Sequence, residues 1–303
     1  MIATLILTAA LFAQQAEALP MQHHASASPD GETQVIHQHF MLDEGGEQPT
    51  RRVWLMLQPS DGGEAVPLHQ PAGENAQEPR WSPNGEWIAF VGGPGYGAGE
   101  HALQIIRPDG TGLRTLAEDS QGLIKSPSWS ADGRYLAFEV RNPDAGWAHV
   151  DLVELATGER RRVTAGFDGL NQHPRLAPDG RHLLVSWRDP DSGEGDLFLH
   201  DLEADTPPRR LTETAWIENM PTWHPAGRYV VYSRAMSPGN HDLFALDIET
   251  GREWQVTDTP DVMEFFPAFS RDGRYLFHDH FVMGETSPSS RIERQTWLWV
   301  SGG

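Results

Sequence analysis

Cysteine is absent from the 303 residues, which excludes disulfides, thiolate metal sites, a cysteine nucleophile and a lipidated N-terminal cysteine. Lysine is almost absent: Lys125 is the only one, and 23 basic residues face 43 acidic ones for a formal charge of −20. Such a surface repels phosphate backbones and anionic headgroups, so the composition argues against nucleic acid or a membrane surface as partner. No run of like charge marks a binding tail. Long apolar runs are missing as well, and beyond a short one at the start no segment is apolar enough to span a membrane. What is plentiful is punctuation, 30 Gly and 23 Pro, which suits a turn-rich β protein.

The short apolar run is Ile2–Ala13, twelve uncharged residues that are too few to cross a bilayer. Gln14 and Gln15 break it, and Ala16-Glu17-Ala18 gives the small-x-small pattern of a cleavage site. Residues 1–18 therefore read as a signal peptide and 19–303 as the mature chain, which places the protein in the periplasm or outside the cell. Only the terminal amine supplies positive charge ahead of the apolar run.

Internal repetition organises the rest. Five segments align without gaps: Pro79–Phe90 (PRWSPNGEWIAF), Pro127–Phe138 (PSWSADGRYLAF), Pro174–Val185 (PRLAPDGRHLLV), Pro221–Tyr232 (PTWHPAGRYVVY) and Pro267–His278 (PAFSRDGRYLFH). A sixth, degraded copy opens with Ala25–Gly31 (ASASPDG) and resumes, one residue late, at Val35-Ile36-His37. The anchor glycines 31, 85, 133, 180, 227 and 273 lie 54, 48, 47, 47 and 46 residues apart. Ser-Pro-Asp-Gly is a hairpin turn, in which Pro presets φ, Asp or Asn tolerates the next position and Gly takes positive φ. It joins an inner Pro-x-Trp-Ser strand to an apolar second strand. Third strands are expected at Val53–Leu57, Ala102–Ile106, Ala148–Leu155, Asp196–His200, Asp242–Leu246 and Thr296–Val300, and fourth strands end near Leu68, Leu116, Val163, Leu211 and Val256. Four antiparallel strands repeated radially make the blade of a propeller, so the fold expected is all-β, a six-bladed β-propeller of four-stranded antiparallel blades. Trp81, Trp129, Trp223 and Phe269 share one repeat position and are expected between blades. The last unit lacks a fourth strand, so either residues 19–24 pair there or blade packing alone closes the ring.

Pro-x-Trp-Ser-Pro-Asp-Gly followed by an apolar strand, with endings such as Arg209-Arg210-Leu211-Thr212, resembles the TolB-like propeller repeat, found also in the propeller of prolyl oligopeptidases. The resemblance covers residues 25 to 300. It implies a propeller in the cell envelope. In TolB an α/β domain precedes the propeller, and the propeller binds a peptidoglycan-associated lipoprotein; the resemblance here runs without that domain. The Gly-x-Ser-x-Gly elbow of a hydrolase domain does not occur.

Candidate functional residues cluster by repeat position. Ahead of the inner strands stand His24, Glu78, His173, Glu218 and Glu264, expected to converge on the rim of the funnel. Two His-x-His pairs, His37/His39 and His278/His280, lie on second strands of blades adjacent across the ring. Residues i and i+2 of a strand share a face, so these four are candidate ligands for a divalent metal ion, with buried structural imidazoles as the other reading. His37 and His278 are both expected at the apolar position held by Phe90 and Phe138. The acidic loop Asp189–Asp196 has oxygen ligands in a Gly-containing turn but lacks EF-hand spacing. Gly92–Gly99 has neither the Lys nor the helix of a phosphate cradle.

Two functions fit these features. One is an exported, non-catalytic propeller that binds a protein, peptide or glycan of the envelope. The other is a metal-assisted lyase or hydrolase using a His and carboxylate site in the funnel. A scaffold whose partner supplies the activity is a third possibility.

Overall fold

The computed structural model describes residues 16–42, 50–71, 74–94, 101–282 and 289–297. Every regular element among them is a β-strand. The strands form six antiparallel units, each wound from inner to outer strand in chain order. The first is β1 (Ala16–Ala27), β2 (Thr33–Leu42), β3 (Thr50–Pro59) and β4 (Val66–His69). The second is β5 (Asn75–Trp81), β6 (Ile88–Gly93), β7 (His101–Ile106) and β8 (Arg114–Asp119), and the third β9 (Leu123–Trp129), β10 (Tyr135–Asn142), β11 (Trp147–Glu154) and β12 (Arg160–Arg162). The fourth is β13 (Leu170–Leu176), β14 (His182–Arg188), β15 (Gly195–Asp201) and β16 (Arg209–Arg210), and the fifth β17 (Glu218–Trp223), β18 (Tyr229–Ser237), β19 (Asn240–Asp247) and β20 (Glu253–Gln255). The sixth has β21 (Val262–Phe269), β22 (Tyr275–Val282) and β23 (Ser289–Thr296). Its third strand thus ends where the sequence pattern expects it to begin: Thr296 pairs with Tyr275, and Trp297 follows the strand as a core residue.

The turns explain the period. The six anchor glycines have φ between +69° and +76°, and each N–H donates to the carbonyl three residues back, as Gly133 does to Ser130 at 2.9 Å. Where the motif keeps its serine, that side chain closes the turn. Ser130 Oγ bonds Asp132 at 2.6 Å and accepts the N–H of Tyr135 at 2.9 Å, and Ser28, Ser82 and Ser270 repeat the arrangement. The first copy keeps the same register without an inserted residue: Ala27 pairs Gln34 as Trp129 pairs Leu136. Ile36, not His37, therefore takes the Phe138 position, and His37 takes that of Glu139 and Asp279.

Apolar faces of neighbouring units meet in separate cores, as where Ala89, Leu103 and Ile105 pack on Ile124, Phe138 and Val153. Inner strands touch in cyclic order, β1–β5–β9–β13–β17–β21–β1. A parallel bridge joins the third strand of one unit to the first of the next at Ala148–Leu170, Gly195–Ile217 and His241–Met263, and Met21–Ser290 repeats it between the sixth unit and the first. The last-to-first junction is thus an ordinary one. Ala16–Ala18, within the expected cleavage motif, pair with Leu42–Phe40. No helix among the described residues is long and apolar enough to cross a membrane.

Candidate functional site

Each inner strand carries a bulge at one repeat position. The register jumps there, as between Gln77 and Arg80 or between Gln172 and Arg175. The residue two before the Pro-x-Trp x position takes the left-handed conformation: His24, Glu78, Ser126, His173, Met220 and Phe266 have φ of 48–56°. None is glycine, and five of the six precede a proline, which restricts them further. The bulge turns the backbone N–H toward the preceding unit. The N–H of His24 reaches Asp279 at 3.2 Å, that of Glu78 reaches His37 Nδ1 at 3.2 Å, that of Ser126 reaches Glu78 Oε2 at 2.6 Å, and that of His173 reaches Glu139 Oε2 at 3.2 Å.

This register decides which expected residues meet. His24, Glu78 and His173 do occupy equivalent positions around the inner strands. Glu218 and Glu264 do not: both sit two residues upstream of the bulge, Glu218 bonding within its own unit and Glu264 at the junction with the fifth. Glu218 accepts Arg234 Nε at 2.7 Å and the Thr214 hydroxyl, while Glu264 accepts the hydroxyls of Thr257 and Thr259 and lies 4.0 Å from His280 Nδ1. Their place in the site is taken by residues that no motif flagged. Lys125 Nζ stands 3.6 Å from Glu78 Oε1, and Gln172 Nε2 donates to Glu139 Oε1 at 3.3 Å. Glu139 is 1% exposed, and burial raises its pKa against the pull of Lys125. Burial, joined by the cations Arg175 and Lys125, lowers His173 to about 3, so its imidazole is neutral. His173 Nδ1 and both amide atoms of Gln77 are buried without a protein partner. The sequence did hold a signal for this cluster: it lies six residues past the anchor glycine and at the residue just ahead of the bulge, and it includes the one lysine of the chain.

The two His-x-His pairs turn away from each other. Ile36 and Phe40 pack on Phe277 across the junction of the first and sixth units. His37 and His39 alternate with Ile36 and Phe40, and His278 and His280 alternate with Phe277, so both pairs lie on faces directed away from that junction. His37 is near His24 (ring centroids 4.9 Å apart) and His39 (5.4 Å), but His39 Nδ1 accepts Arg51 Nε at 2.9 Å. His278 is 3% exposed and faces Glu293, and burial lowers its pKa to about 4. Among the described residues no group of three or more His, Asp or Glu is arranged to hold a metal ion. The Asp189 carboxylate caps its own loop, accepting the N–H groups of Asp191 and Ser192. Most of Gly92–Gly99 lies outside the described residues.

Compared with known proteins, residues 93–289 match the profile of the TolB beta propeller domain. No curated protein matches the chain in sequence. Among solved structures, TolB from Acinetobacter baumannii superposes with a TM-score of 0.65 at 17% identity, covering 92% of this chain and 60% of that one. A putative TolB from Agrobacterium tumefaciens gives 0.62 at 16% identity, covering 92% and 91%. An oligogalacturonate lyase in complex with manganese gives 0.58 at 15%, covering 89% and 78%. The chain thus spans less than two thirds of the A. baumannii protein, and these likenesses concern the fold.

Proposed function

This chain belongs to the TolB β-propeller family, and on that premise we propose that its six units are the blades of an exported propeller that binds a protein, peptide or glycan of the cell envelope at its axis. The six-blade count is supported by six equivalent glycine turns and by the cyclic contacts of the inner strands. Export, with cleavage near Ala18, is supported by the apolar leader. The ligand is placed at the end where the inner strands begin, over Glu78, Lys125, Glu139 and His173.

One observation carries the binding reading. A buried, mixed-charge cluster on the axis keeps the Gln77 amide and His173 Nδ1 unmatched by protein. Buried polar atoms are nearly always paired, so unmatched ones in a channel call for water or a ligand group. An acidic rim with one lysine and the neutral His173 imidazole suits hydroxyl-rich or mixed-charge ligands.

The test is photocrosslinking in the native envelope, with the photoreactive residue at exposed Gln121, beside the start of β9, or at Asp205 on the outer β15–β16 loop. A discrete adduct from position 121 alone supports the axial site. Equal adducts from both positions, or none from either, overturn it. The alternative, a metal-assisted lyase or hydrolase, draws on the fold shared with oligogalacturonate lyase, but among the described residues no group of three or more candidate ligands is assembled. Stoichiometric manganese, zinc or nickel in the untagged, purified protein would reverse the choice.

A further inference from the structure

The other end of the axis, where the inner strands run into the Ser-Pro-Asp-Gly turns, has a different chemistry. The x residue of each Pro-x-Trp motif lines it: Ser26, Arg80, Ser128, Arg175, Thr222 and Ala268 surround one depression of about 460 Å³. It shares no residue with the His and carboxylate cluster above. Three arginines line it: Arg271 is exposed at its edge, while Arg80 and Arg175 are set into its wall. Arg175 is 7% exposed, and Arg80 is half-buried. The Nη1 of each donates to the carbonyl of the proline before it, at 2.8 Å for Arg175 and 2.9 Å for Arg80. That accounts for one of the five N–H donors each carries. Among the described residues no carboxylate lies within ion-pair distance of either. The charges that act on them from farther off are each other, Glu78, Glu139 and Asp279.

The setting fixes the backbone that carries both side chains. Trp129 Nε1 donates to the Arg80 carbonyl at 3.0 Å, and Trp223 Nε1 to the Arg175 carbonyl at 3.1 Å. Ser26 Oγ accepts the Trp81 N–H and Ser128 Oγ the Leu176 N–H, both at 3.0 Å, which leaves each hydroxyl hydrogen available as a donor. A desolvated cation without a counter-ion is costly. Two of them in one open cavity, with hydroxyls between and aromatic walls around, present donors and no acceptor of matching charge. Guanidinium forks match planar and tetrahedral oxyanions.

We propose that this turn-end cavity binds a small oxyanion, a carboxylate or a phosphate or sulfate group, between Arg80 and Arg175. The site shares no lining residue with the cluster assigned to the envelope ligand, and it is a localised cationic patch on a chain of strongly acidic composition.

Isothermal titration of the purified protein at low ionic strength, with sulfate, phosphate and acetate as separate probes, reads it directly. One saturable equivalent is expected, and preference between the tetrahedral and the planar anions distinguishes the two sources. Affinity should fall at least tenfold in Arg80→Met and in Arg175→Met, with Arg274→Met, on the exposed surface, unchanged. A second measurement needs no variant. Phenylglyoxal labelling read by mass spectrometry should be slowed by the bound anion at Arg80 and Arg175 and not at Arg274. Binding that survives in a folded Arg80→Met/Arg175→Met protein overturns the proposal. So does equal labelling with and without the three probes at millimolar concentration.

Discussion

His24, Glu78, Ser126, His173, Met220 and Phe266 hold backbone angles that L side chains avoid, at about 1–3 kcal/mol each. At four of them the released N–H bonds an acceptor in the preceding unit, so local strain is exchanged for a link between units. Burial acts on the histidines of the same region. His278 is held to about 4 chiefly by burial, with Glu293 opposing, whereas in the unfolded chain it titrates near 6.5. Above pH 6.5 both states are neutral there and stability is independent of this group. Between pH 6.5 and 4 the unfolded chain takes a proton that the folded one refuses, so stability falls with pH by about 3 kcal/mol. Glu139, Glu218 and Glu264, raised by burial, act with the opposite sign: their protonated forms favour the fold, and that contribution is lost as pH rises from the usual carboxylate range. Urea titrations of wild type and His278→Gln at pH 7 and pH 4 isolate the histidine. Wild type should lose about 3 kcal/mol more than the variant over that interval; parallel losses would show that His278 is not the group responsible.

The strands place large aromatics between units. Trp129 is half-buried, packing on the second-to-third-unit core and tied through Nε1 to Arg80. Trp297, placed by sequence in a marginal last strand, is 8% exposed and packs with Val231, Leu243, Ala245 and Leu276 and edge-on to Phe269. Truncating a buried tryptophan loses about 3–5 kcal/mol through the cavity it leaves. Trp297→Ala should therefore cost as much as Trp129→Ala in denaturant titrations. A loss under about 1 kcal/mol at Trp297 would return that residue to the periphery. The turn class and most strands could be read from the repeat, because proline, aspartate and glycine act through local backbone angles. The shift of the last third strand and the register of the first copy could not, since both depend on pairing partners far away in sequence.

At the scale of the whole molecule the junction between the sixth and first units is the one that sequence-adjacent strands cannot make. Met21–Ser290 and the bond from His24 N–H to Asp279, 255 residues away, close it. A chain beginning at Ser26 would keep every turn and lose both links, exposing an unpaired strand edge. It should unfold at lower urea with a shallower transition, and elute as larger species on size exclusion. A monomer with the wild-type midpoint would mean that side-chain packing alone closes the molecule.

The period of about 48 residues and the six glycine turns were decided by the sequence alone, because each repeat encodes its hairpins with local residues. So were the all-β class and the TolB-like resemblance, which rest on the same local pattern. Which side chains meet on the axis was decided only by the tertiary structure. A bulge at one repeat position of each inner strand resets the alternation of faces, so residues two apart in similar motifs, such as Glu78 and Glu218, end in different environments. Glu78, Glu139 and His173 come together from separate repeats, as do Arg80 and Arg175, and nothing in the local sequence of any one repeat records its neighbours across the axis.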